Sequence, residues 1–195
     1  MRKITSFLKL IKETAFTKII LGVLLIGTLY ASSALAQMPL NTAFNAGVTD
    51  GNSQGFVTAF QPDGKILVGG SYTFVNGTEQ ASLTRLNTNG TTDTTFNTGG
   101  LGPNGVVYEI KILGDGKIII GGGFTTYNGS ALSGLARLNA NGTLDTTFNP
   151  GGGGTVGTIQ GIFIQTDGKY LISGSNLSSY NATARFSVIR VNTDG

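Results

Sequence analysis

Three tripeptides, Asp63-Gly64-Lys65, Asp115-Gly116-Lys117 and Asp167-Gly168-Lys169, stand 52 residues apart, and whole segments travel with them. QPDGKILVGG (61–70) returns as LGDGKIIIGG (113–122) and as QTDGKYLISG (165–174). RLNTNGTTDTTFN (85–97) returns as RLNANGTLDTTFN (137–149), and RVNTDG (190–195) begins a third copy. A period of about 50 residues marks an array in which each unit is one supersecondary module that cannot bury its own face alone. The chain must therefore fold as a stack of like units. A residue found in every unit serves to build the unit before it serves any single active centre.

Three units follow an N-terminal leader, at about 41–92, 93–144 and 145–195. Each opens with a strand of alternating character: Phe56 to Phe60, then Val106 to Ile112, then Ile159 to Ile164. The Asp-Gly turn follows, its glycine supplying the positive φ that a Cβ disfavours. Next comes a continuous apolar strand, Ile66-Leu67-Val68, Ile118-Ile119-Ile120 or Tyr170-Leu171-Ile172, the pattern of a strand covered on both faces. Gly69-Gly70 and Gly121-Gly122-Gly123 end it where backbone can approach backbone closely. After a loop with Asn76-Gly77 or Asn128-Gly129, a third strand runs over 83–86 or 135–138, and Asn89-Gly90 and Asn141-Gly142 carry the hairpin signature. A short fourth strand is expected to end on Phe96 and Phe148. Four short antiparallel strands per unit describe a propeller blade, whereas the coils of a β-helix are much shorter. The sequence thus predicts an all-β chain: a partial β-propeller of three four-stranded antiparallel blades after an N-terminal signal peptide.

DGKILVGG, the Asn-Gly loop and RLNTNGTTDTTFN, recurring in that order over residues 41–195, resemble the delta-60 repeat, a bacterial β-propeller family of exported, often very large proteins. The Gly69-Gly70 pair is also similar to kelch repeats, although the Trp of a kelch blade is missing from a chain without tryptophan. The delta-60 resemblance implies the fold, export and a binding role; no reaction is attached to the family. Propellers close with roughly four to eight blades. Leu40-Asn41-Thr42-Ala43-Phe44 matches a fourth strand and would complete the last blade of a closed ring. We expect a truncated array lacking further blades, with a homo-oligomer that closes the ring from two chains as the alternative.

The leader carries Arg2, Lys3, Lys9, Lys12 and Lys18, then an apolar run from Ile19 to Tyr30, then Ala34-Leu35-Ala36. That is the layout of a secretory signal, with cleavage expected between Ala36 and Gln37, giving residues 1–36 as signal peptide and 37–195 as the repeat region. The apolar run is short for a membrane span, which needs about 20 residues, so membrane contact is expected only through an uncleaved leader. The leader holds five Lys/Arg and one Glu of the chain's 13 basic and 10 acidic residues, so residues 37–195 keep eight against nine, a net −1. Such a chain lacks the clustered basic footprint of nucleic-acid binding, and no nucleic-acid partner is expected. With neither Cys nor His, disulfides, the usual zinc ligand sets and Ser-His or Cys-His nucleophile pairs are all excluded.

Several residue patterns could carry chemistry. Arg85, Arg137 and Arg190 recur at one point of the third strand; they could bind a ligand carboxylate, but pairing with a turn aspartate such as Asp63, Asp115 or Asp167 is the expected role. Asn87, Asn89 and Asp93, with Asn139, Asn141 and Asp145, have the oxygen-rich spacing of short calcium loops. Each offers one carboxylate only, and an Asn-Gly hairpin explains the same residues, so no metal or cofactor is expected. The Asn-x-Ser/Thr patterns at Asn76, Asn89, Asn128, Asn141, Asn176 and Asn181 follow from an Asn/Gly/Thr-rich composition. The acids outside the repeated motif before the final turn, Asp50, Glu79 and Glu109, show no spacing that unites two of them for glycoside chemistry.

Positions that differ between units suit binding better. Phe56, Tyr108 and Gln160 are equivalents by spacing, as are Tyr72, Phe124 and Asn176, and Glu79, Ala131 and Ala184. Tyr72, Tyr108 and Phe124 are the candidate ligand contacts, set against the plainer role of filling space between blades. The resulting expectation is a secreted or cell-surface, non-enzymatic binding or scaffold module for an extracellular glycan or protein. The alternatives are a carboxylate-dependent polysaccharide-processing enzyme or a purely structural surface array.

Overall fold

The computed structural model describes residues 53–149 and 152–195, so the cleavage site at Ala36 and Gln37, the acid Asp50 and the segment 40–44 lie outside the described residues. Each Asp-Gly-Lys turn closes a hairpin as the spacing predicts. Asp63 accepts from the Lys65 amide at 3.1 Å while Gly64 takes φ 82°, a conformation strained for any residue with a Cβ. In the first unit β1 (Gly55–Phe60) pairs antiparallel with β2 (Ile66–Gly70), which pairs with β5 (Leu83–Leu86); a two-residue hairpin, β3 (Phe74–Val75) and β4 (Thr78–Glu79), stands off the loop between them. The second unit repeats this with β6 (Val107–Ile112), β7 (Ile118–Gly122), β8 (Thr126–Tyr127), β9 (Ser130–Ala131) and β10 (Leu135–Leu138). The third merges the hairpin into its sheet: β11 (Thr155–Ile164) and β12 (Tyr170–Tyr180) run long, and β12 pairs with both β13 (Thr183–Ala184) and β14 (Val188–Val191). The described residues are thus all-β, three main antiparallel sheets in sequence and two two-stranded hairpins, with no helix.

The expected fourth strand is reduced to one bridge in each of the first two units, Leu86 with Thr92 and Leu138 with Leu144. The reason is local. Asp93 Oδ1 accepts from both the amide and the hydroxyl of Thr95, at 3.0 and 2.7 Å, and this side-chain turn bends the backbone off the ladder before Phe96. Asp145 and Thr147 do the same before Phe148.

The two glycines after each apolar strand have different jobs. A Cβ on Gly70, Gly122 or Gly174 would collide with backbone of the paired strand, at the oxygens of Gln54, Val106 and Thr158 respectively. This close approach accompanies a bulge in each first strand, between Gly55 and Val57, Val107 and Glu109, and Ile159 and Gly161. The preceding glycines face a neighbouring sheet instead. A Cβ on Gly69 would sit 2.8 Å from Val107 and 3.1 Å from Ile110; on Gly121 it would sit 2.6 Å from Ile159 and 3.0 Å from Ile162. One sheet's glycine is therefore a socket for two branched side chains of the next. Around these sockets the core forms, with Leu67, Leu83, Val107, Ile110 and Ile120 between the first two units and Leu135, Ile159, Ile162 and Ile172 between the last two. Burial of each such side chain contributes roughly 1.5–3 kcal/mol.

Polar clasps tie the turn that follows Asp93 or Asp145 to a loop of the next sheet. Asn97 and Asn128 pair their amides, as do Asn149 and Asn181. Asn181 Oδ1 also accepts from the Gly154 amide at 3.0 Å, and both Asn149 and Asn181 take positive φ, which Asn tolerates better than most residues. Asn181→Ala removes the acceptor and leaves a left-handed alanine, so we expect a loss of about 2 kcal/mol in urea unfolding.

Candidate functional site

The bulges decide which side chains reach the surface. At each bulge two residues oppose one, and the extra residue is re-aimed out of the alternating pattern. Those extra residues are Phe56, Tyr108 and Gln160, so the equivalence read from spacing holds at the level of geometry. The first strands of neighbouring units lie beside one another, which sets the three bulges in a row along one edge of the array. Phe56 and Tyr108 stack there with ring centroids 5.1 Å apart and planes tilted by 34°. Phe56 is 43% exposed, Tyr108 is half-buried and Gln160 is exposed. Next to this ledge Glu109 pairs with Lys111 at 3.0 Å, so the local charge is neutralised.

The other two aromatic candidates are inside. Tyr72 has no exposed surface and its hydroxyl donates to the Val68 carbonyl; Phe124 is 2% exposed and belongs to the core between the first two units. Burial pushes the Tyr72 hydroxyl above the ordinary tyrosine range. Neither side chain offers a ligand any surface in this structure; both fill space. Asn176 is not their structural equivalent either. The third unit carries one extra residue there, Tyr180-Asn181 taking the place of Tyr127-Asn128, so buried Leu177 occupies the corresponding position and Asn176 is exposed at φ 56°.

Two of the three recurrent arginines, Arg85 and Arg137, are engaged inside the array, with a different aspartate from the one expected, whereas Arg190 is exposed. Arg85 Nε donates to Asp93 at 2.8 Å and Arg137 Nε to Asp145 at 2.7 Å. The same carboxylate oxygens accept from Lys65 and Lys117, each at 2.7 Å. The turn residues Asp63, Asp115 and Asp167 hold the amide two residues on, which leaves the arginine to the aspartate eight residues beyond it. Each guanidinium also lies over a ring, 4.8 Å from Phe96 and 4.7 Å from Phe148, and reaches the next unit, Arg85 to the Ala140 carbonyl and Arg137 to the Thr193 carbonyl. Burial alone would raise the Asp93 and Asp145 carboxyls. Hydrogen bonds from the lysine, the threonine and the arginine outweigh it, and hold both well below the usual carboxylate range.

This bonding also occupies the calcium candidates. Asn89 Oδ1 accepts from the Thr91 amide and hydroxyl and Asn87 donates to the same hydroxyl, with Asn139, Asn141 and Thr143 repeating the pattern. Asp93 and Asp145 each turn Oδ2 toward cationic side chains and Oδ1 toward a threonine. Among the described residues no three His, Cys, Asp or Glu come together as a metal set. Glu79 lines a cleft of about 330 Å³ floored by Phe96, whereas Glu109 borders a different hollow beside Phe163, so the two described acids outside the motif serve separate surfaces. The role of Asp93 and Asp145 could have been found from sequence, because each recurs with its arginine at a fixed separation of eight.

Antiparallel sheets stacked face to face, with bulged first strands side by side and a glycine socket for the next sheet, are the blades of a β-propeller. The chain belongs to the family described as a domain of unknown function (DUF5122) beta-propeller, which it matches three times, at residues 61–96, 113–148 and 165–195. No curated protein and no solved structure matches it.

Proposed function

We propose that the chain is an exported β-propeller repeat protein acting as a binding or scaffold module at or outside the cell surface, with the bulge row as its contact surface. The observation that carries this reading is the stacked Phe56–Tyr108 pair, held on rigid bulged strands and followed by Gln160. Preorganised aromatic faces with a nearby amide suit the apolar face and hydroxyls of a glycan, or an extended peptide. The repeated ionic groups are spent on holding units together, and the net charge of −1 over residues 37–195 favours an uncharged ligand over a polyanion. These features support a non-enzymatic role. Export rests on the leader and on the likeness to delta-60 repeats.

A glycan array combined with pull-down from the extracellular fraction tests the binding role. We expect a ligand whose affinity falls about tenfold or more, roughly 1.4 kcal/mol, in Phe56→Ala/Tyr108→Ala, with the melting temperature nearly unchanged. Failure to find any ligand, or full binding by the double variant, refutes the contact surface. Export is tested separately by expressing the chain with its leader and sequencing the N-terminus of the product. A start at Gln37 outside the cytoplasm is expected, and Ala36→Arg should block processing; an intact cytoplasmic chain refutes export.

A further inference from the structure

The array has two end faces, and their residues depart from the repeat in complementary ways. In both internal junctions, the socket face of one sheet takes the knob face of the next. Gly69 receives Val107 and Ile110, and Gly121 receives Ile159 and Ile162. Strand register places Ser173 at the same point of the third sheet, because Ser173 pairs with Gly161 and Val188 as Gly121 pairs with Glu109 and Leu135. The register likewise places Gly55 and Thr58 of the first sheet where the later sheets carry the valine–isoleucine and isoleucine–isoleucine knobs. So the free socket is partly filled by a hydroxymethyl group, and the free knobs are smaller. Exchanges of this kind, made on opposite faces, conserve volume when the faces meet.

Neither face is covered by another sheet among the described residues. Phe163 is 65% exposed and Val188 59% on the third sheet, and Phe60 is 69% exposed on the first, beside exposed Gly55 and Thr58. The polar groups of the third face are also incomplete. Arg85 donates to Gln61 Oε1 at 3.1 Å and to the Ala140 carbonyl of the next unit at 2.8 Å. In the third unit the corresponding Gln165 Oε1 is buried with no hydrogen-bond partner, and Arg190 is exposed with no ion-pair partner among the described residues. In the first unit the guanidinium that meets the equivalent Gln61 is held by the turn carbonyl of the next unit. By repeat spacing, Thr88, exposed on the first unit, bears the group that Ala140 and Thr193 supply within the chain.

We propose that the third sheet's outer face docks the first sheet of a second copy of this chain, head to tail. Two copies then form a closed ring of six sheets, within the roughly four to eight that propellers use. Ser173 packs against Gly55 and Thr58 of the other copy. Arg190 swings to bridge Gln165 Oε1 and the Thr88 carbonyl, and Phe163, Val188 and Phe60 leave water.

The test uses the full chain in sedimentation velocity. A two-chain particle is expected, twice the 20.2 kDa chain or less if the leader is removed. Phe163→Glu and Phe60→Glu, both at exposed positions, should each give a folded monomer, while mixing the two variants restores a two-chain species through the one junction left intact. Because the chain has no cysteine, a second measurement is clean: Thr58→Cys/Ser173→Cys should oxidise to covalent two-chain species, whereas Ser173→Cys alone should not. A wild-type monomer at about 100 μM overturns the proposal. So does a dimer that Phe60→Glu leaves intact, cross-linking by Ser173→Cys alone, or a ladder of ever larger assemblies.

Discussion

Asp145→Asn lowers the unfolding free energy by about 3 kcal/mol, because it leaves Arg137 and Lys117 facing a neutral amide in a site where the carboxylate is nearly all buried. The figure stands at the low end for a broken buried pair since Lys117 keeps 31% of its side-chain surface in water. Urea unfolding at neutral pH measures it, and Asp167→Asn, which alters an exposed turn pair, should shift the midpoint far less. A shift no larger than that of Asp167→Asn would remove the ion cluster from the account of stability. The pH dependence has a definite sign. The Asp145 carboxyl titrates below its ordinary value of 3.8, so its contribution is complete above that value in the unfolded chain and is lost as pH falls through the lower folded value. The gap between wild type and Asp145→Asn should therefore hold from pH 7 to about 5 and narrow toward pH 2.

Gly122→Ala has an effect at least as large, about 3 kcal/mol or more, because its methyl group meets the Val106 carbonyl and only a backbone shift relieves the collision. Gly121→Ala, one residue earlier, meets the ends of Ile159 and Ile162 and should cost about 1–3 kcal/mol. The third unit makes the same distinction without mutagenesis. It keeps Gly174, whose Cβ would strike the Thr158 backbone, yet carries Ser173 where no sheet of the described residues covers it. Thermal melts of the two alanine variants check the order; equal losses would mean that the glycines share one role.

Much of this architecture was readable in the chain. Repetition located the first three strands of each unit and their Asp-Gly turns, and the double glycine marked the close approach. The fourth strand misled, because Thr91 to Phe96 looks extended until the Asp93 side chain captures the Thr95 amide, a contact no periodicity reports. Bulges escaped for a related reason. They break the two-residue alternation at Phe56 and Tyr108, so parity along the strand could not say that Tyr108 is accessible while Tyr72 and Phe124 are enclosed. The ion pairs were missed because the nearest-looking aspartates, in the Asp-Gly turns, are already held by the lysine amide two residues on. A single inserted residue before Tyr180 then shifted the third unit, putting Leu177 where counting from Phe124 had put Asn176.

The arginine reach from one unit into the next turn has a consequence for how the protein opens. Arg85 closes on Ala140 and Arg137 on Thr193, so each ion cluster is finished only when the following turn is in place. Neighbour coupling of this kind makes a repeat array behave like a one-dimensional zipper. In a chain whose end faces stand undocked, as in the Phe60→Glu or Phe163→Glu variant, the middle sheet, held from both sides, is then the slowest to exchange its amide hydrogens, and the outer sheets fray toward it.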